Sequence, residues 1–115
     1  MDLNRRLFLG AATAAATLAA PMLRAQDRPK VVVIGGGAGG ATAAHYIAKD
    51  SEGAIDVTLV EPSRTYHTCF FSNLFLGGFV PVESLGHSYG KLAGMGVNVV
   101  HDWAIDVDRA ARTVA

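Results

Sequence analysis

From residue 30 onward the chain alternates short β-branched runs with glycine-rich and alanine-rich stretches. Val31-Val32-Val33-Ile34 is an unbroken apolar run, the pattern of a strand buried on both faces of a parallel sheet. Six residues follow, five of them glycine, from Gly35 to Gly40. Ala41 to Lys49 is rich in helix formers and predicts a helix that starts near Gly37. After a loop over residues 50–54, Ile55 to Val60 alternates polar and apolar positions. It predicts a second strand, ended by Glu61 and stopped by Pro62. Strand, glycine turn, helix and strand make a βαβ unit of about 30 residues, and a right-handed crossover sets its strands parallel.

Beyond this unit the pattern weakens. Ser63 to Glu83 reads as a long irregular segment, but Tyr66, Phe70, Phe71, Phe75 and Phe79 give it more apolar surface than a solvent loop carries. Long loops of this kind are commonly functional, and this one needs something to pack against. Ser84 to Met95 reads as a weak helix in which Gly86, Gly90 and Gly94 form one smooth face. Val97 to His101 predicts a third strand, and Trp103–Val107 with Thr113–Ala115 predict the start of a β-meander turning at Asp108–Arg112. Ala115 falls inside a strand pattern, and three parallel strands are fewer than a complete domain of this type holds. The expectation is therefore the N-terminal part of a longer protein, with an incomplete domain over residues 26–115.

Residues 1–25 read as an export signal. Arg5 and Arg6 supply the positive region, Leu7 to Ala20 is uncharged, Pro21 ends it, and Leu23-Arg24-Ala25 is a processing site. The uncharged run is too short for a hydrocarbon core of roughly 30 Å. The paired arginines before Leu7-Phe8-Leu9 resemble a twin-arginine signal, which predicts periplasmic export of a folded, cofactor-loaded protein. Residues 26–115 hold seven basic and nine acidic side chains, so nothing in the charge favours nucleic acid or stable insertion of the mature chain in a membrane.

The chemistry lies in three places. Gly35-x-Gly37-x-x-Gly40 after a strand and at the opening of a helix is the Rossmann dinucleotide pattern: a tight turn, an open approach for a pyrophosphate, and close helix–strand packing. The amides of Gly37, Ala38, Gly39 and Gly40 are the candidate anion site. Glu61, 21 residues after Gly40, stands where an acidic residue accepts from ribose hydroxyls and disfavours a 2′-phosphate. That selects FAD or NAD over NADP, with Arg64 beside the adenine or pyrophosphate. Cys69 is the only cysteine, and by itself reads more readily as a buried structural thiol than as a reactive one. His45, His67, His87 and His101 show no metal-ligand spacing.

The mature stretch resembles the flavoprotein subunit of flavocytochrome c sulfide dehydrogenase. The resemblance rests on Lys30 to Ala44, Val57 to Pro62, Tyr66 to Asn73 with Gly77-Gly78, and Gly96 to Asp102. It implies a Rossmann-like α/β fold, FAD joined covalently through Cys69, and Ser72 and Asn73 in the cofactor loop. His67 departs from it, since an aromatic residue commonly precedes the threonine there. The resemblance further implies a periplasmic enzyme that oxidises a small sulfur substrate and reduces a c-type cytochrome subunit. Two other readings are a sulfide:quinone or related oxidoreductase that holds FAD without a covalent link, and a nucleotide-binding fragment with no enzymatic activity.

Overall fold

The computed structural model describes residues 28–115, so the export signal expected over residues 1–25 lies outside them. Strand β1 (Lys30–Ile34), helix α1 (Ala38–Asp50) and strand β2 (Asp56–Val60) form the expected unit. β1 and β2 are parallel, from Lys30 opposite Asp56 to Ile34 opposite Val60. Strand β3 (Thr65–His67), the short helix α2 (Ser72–Leu76), a 3₁₀ turn (Val82–Leu85) and strand β4 (Gly86–Ser88) follow. Helix α3 (Gly90–Gly94) leads to strand β5 (Asn98–Val100), and a small hairpin, β6 (Val107–Asp108) and β7 (Thr113–Val114), comes last. β5 lies parallel to β2, giving a sheet ordered β1-β2-β5, a Rossmann-like α/β arrangement.

Alternation in the strands decides where the core sits. Val57 and Leu59 point to the face that α1 covers, and with Ala44, Tyr89, Leu92 and Val97 they form a single buried cluster. Leu59 is fully buried, so Leu59→Ala should cost about 2–5 kcal/mol. The opposite face of the sheet has no helix against it among the described residues. Val32 and Ile34 stay 45% and 51% exposed there, which corrects the expectation that β1 is buried on both sides. The physical reason is position: among the described residues β1 is an edge strand, and the helices that contribute to the core, α1 and α3, pack on the other side.

Two further expectations are corrected. Residues 63–83 are not irregular throughout, because β3 pairs antiparallel with β4, Thr65 opposite Ser88 and His67 opposite Gly86. That pairing also breaks the helix expected over residues 84–95, leaving Ser84 and Leu85 at the end of the 3₁₀ turn and Gly90–Gly94 as the α-helical part. Gly86 is in a strand, Gly90 faces the Ser88 hydroxyl and Gly94 faces open space, so the three glycines make no common smooth face. The hairpin at residues 107–114 matches the expected meander, tied at its base by Ile105 N–H donating to Ala115 O at 2.7 Å.

Candidate dinucleotide-binding site

The glycine turn grows directly out of the sheet. Gly35 N–H donates to Val60 O and Glu61 N–H donates to Val100 O, both at 2.9 Å, so the ladder runs one residue past β1 and past β2. Gly35 has φ +93°, a conformation that costs a side-chain-bearing residue about 1 kcal/mol or more. A Cβ on Gly40 would collide with Gly35 O, so glycine there is what lets α1 close onto the end of β1.

Gly37 and Gly39 differ in kind. A Cβ on Gly37 would meet only Tyr66 Cε2 at 4.0 Å, and one on Gly39 would meet nothing. Gly37 has φ −64° and ψ −175°, which any residue can adopt. Neither packing nor conformation within the described chain calls for glycine at these two positions. Gly37 is the N-cap of α1 and makes no side-chain capping bond, and the first intrahelical bond runs from Ala41 N–H to Gly37 O at 2.9 Å. The N–H groups of Ala38, Gly39 and Gly40 come before that bond, at the positive end of the helix. Space above Gly37 with donors aimed into it suits an anionic group that must approach the main chain closely.

Glu61 sits at the end of β2, beside this turn. Its Oε2 accepts from Gly36 N–H at 2.7 Å and its Oε1 accepts from Ser63 N–H at 2.9 Å. These amides, Gly36 first, hold the Glu61 carboxyl below its ordinary value. Each carboxylate oxygen keeps a further lone pair for a ligand hydroxyl. Arg64 is exposed just before β3.

Cys69 is exposed, which corrects the reading as a buried structural thiol. Its loop is pinned on both sides. Thr68 N–H donates to Leu85 O at 3.0 Å, Thr68 Oγ1 accepts from Phe70 N–H at 3.1 Å, and Cys69 O accepts from Ser72 N–H at 3.3 Å. Phe71 takes the left-handed conformation, φ +64°, to start α2, where Ser72 and Asn73 are the first two residues. The neighbours of Cys69 in the chain, Thr68, Phe70 and Phe71, line a largely apolar cleft with Leu74, Val80 and Leu85.

Residues 29–115 match the sequence pattern of the pyridine nucleotide-disulphide oxidoreductase family. The chain belongs to this family of oxidoreductases. It is 54% identical over 44 residues to the flavoprotein chain of sulfide dehydrogenase (flavocytochrome c) of Chlorobaculum thiosulfatiphilum, covering 38% of this chain and 90% of that sequence. Among solved structures, the water-forming NADH oxidase of Lactobacillus brevis, bound to NADH, matches with TM-score 0.67 and 27% identity over 75% of this chain. The sulfide:quinone oxidoreductase of Aquifex aeolicus shares the fold, with TM-score 0.66 and 24% identity over 76% of this chain. The chain spans about a fifth of the length of each, 20% in both cases.

Within this member of the family, sequence reasoning missed Gly36 and Tyr89. Gly36 stands at a variable position of the motif, yet a Cβ there would come within 2.6 Å of Tyr89 Cζ. Tyr89, 6% exposed, donates its phenol hydrogen to Gly36 O at 2.9 Å. Fifty-three residues separate the two, so no local pattern could have paired them. His101 was also unassigned. Its Nδ1 lies 3.1 Å from Glu61 O, so the tautomer protonated at Nδ1 donates there.

Proposed function

We propose that this chain is the FAD-binding N-terminal segment of an exported flavoprotein that oxidises sulfide or a related sulfur compound and passes electrons to a c-type cytochrome subunit. The observation that carries the cofactor assignment is Gly37, a glycine that nothing within the described chain calls for, set where helix amides converge. The relative described as a sulfide dehydrogenase flavoprotein chain supports the substrate class and the cytochrome partner. The arginine pair at Arg5 and Arg6 supports export to the periplasm. Among the described residues no helix is long and apolar enough to cross a membrane.

In this reading the amides of Gly37, Ala38, Gly39 and Gly40 hold the diphosphate, Glu61 accepts from the ribose, and Arg64 lies along the nucleotide. The flavin, when bound, accepts an electron pair and releases electrons singly. Cys69 would hold it through a thioether to the 8α-methyl group, formed in place of the thiol S–H and one methyl C–H with the flavin as the two-electron, two-proton acceptor, and Ser72 and Asn73 would line it from the same segment. The exposure of Cys69, in a segment bent at Thr68 and Phe71, supports this role.

Denaturing electrophoresis of the intact native protein tests the attachment. Flavin fluorescence should migrate with the polypeptide and vanish from it in Cys69→Ser. Release of all flavin from the native protein on denaturation would contradict the thioether and leave a non-covalent flavin oxidoreductase.

A further inference from the structure

We propose that Tyr89 is a positioning residue for the nucleotide diphosphate, holding the glycine turn ready through the Gly36 carbonyl. The inference rests on the FAD reading above and adds to it a residue that lies outside the glycine motif. Gly36 is buried, and both polar groups of this residue are held by side chains from elsewhere in the chain. Its N–H is taken by Glu61 Oε2 at 2.7 Å, and its C=O accepts from the Tyr89 hydroxyl at 2.9 Å. The carbonyl belongs to the peptide whose N–H is Gly37's, the first of the amides offered to the ligand. Fixing that plane fixes the direction in which Gly37 N–H points, before any ligand arrives.

The side chain that does this is itself held. Tyr89 belongs to the buried cluster with Ala44, Leu59 and Leu92, and its ring fills the space a Cβ on Gly36 would need. A preorganised loop binds more tightly because less ordering is left to be done on association. The titratable groups around the phenol come from every neighbouring element: Glu61 after β2, Tyr66 on β3, His87 on β4, His45 and Tyr46 on α1 and His101 after β5. Burial, then the charges of Glu61 and Tyr66, push the phenol above its ordinary value, so it remains a donor through neutral pH.

The test uses the intact protein in a Cys69→Ser background, so that flavin binding is reversible. FAD and ADP are titrated into the apoprotein of the parent and of Tyr89→Phe. Loss of one buried hydrogen bond should weaken both ligands together, by about fivefold to tenfold. A parent that binds both ligands beside a Tyr89→Phe variant that binds them equally tightly overturns the positioning role and leaves the FAD reading standing. A parent that binds neither overturns the FAD reading and the positioning role with it. Tyr89→fluorotyrosine keeps the ring and its shape but makes the phenol more acidic, which covers the case of a poorly folded phenylalanine variant. The alkaline loss of FAD binding should then move to lower pH, because the phenolate cannot donate to Gly36 O. A limb that stays in place overturns the proposal, since a packing role alone gives no reason for it to move.

Discussion

At Gly36 the constraint on the turn is electrostatic as much as steric, and Glu61 is its charged half. A carboxyl held below its ordinary value of 4.5 by two amide donors favours the folded state only while it is ionised. Its contribution is therefore present above that value and is lost as pH falls through the lower, folded value. Urea unfolding of the parent should show stability declining as pH falls below about 4.5, and Glu61→Gln should show a shallower decline. Equal slopes would mean that the Gly36 and Ser63 bonds contribute nothing to folding. Glu61 was legible in the sequence because its place follows from the length of one strand and one helix. Tyr89 was not, because its partner is reached only when residues 35–40 and 86–92 come together in three dimensions.

Among the elements, β1, α1 and β2 were legible within a residue or two, since a β-branched run, a glycine turn and a helix-forming stretch are local signals. Residues 84–95 were not. The buried side chains Leu85, Tyr89 and Leu92 have helical spacing, so periodicity points to one helix. Strand pairing of Gly86–Ser88 with Thr65–His67 overrides that pattern, and no local rule foretells it. The open side of the sheet escaped for a related reason, because an apolar run reports what a strand can bury and not what covers it. The element account makes its own prediction at Gly40. An added methyl would press on the Gly35 carbonyl, so Gly40→Ala should separate α1 from β1 and cost about 1–3 kcal/mol or more, read as a lower thermal midpoint of the apoprotein. An unchanged midpoint would show that the helix can shift without loss.

Over the whole molecule, apolar surface is shared unevenly between the two sides of the sheet. One side buries a core, while Val32, Ile34, Val100 and Trp103 (72% exposed) stand open on or beside the other. The chain spans about a fifth of the length of its solved relatives, 20% in both cases. Residues 26–115 expressed alone should unfold over a broad thermal range and bind a hydrophobic dye. A sharp transition without dye binding would show that the described core suffices. The central claim, that the turn between β1 and α1 clasps a dinucleotide diphosphate, is tested most directly by calorimetric titration of FAD into intact Cys69→Ser apoprotein with and without Gly37→Ala. The account predicts apoprotein that still melts cooperatively near the parent's midpoint, with FAD bound at least about tenfold more weakly, because the new methyl meets no crowded chain atom and stands in the ligand's path. Equal affinity in the two proteins would contradict it.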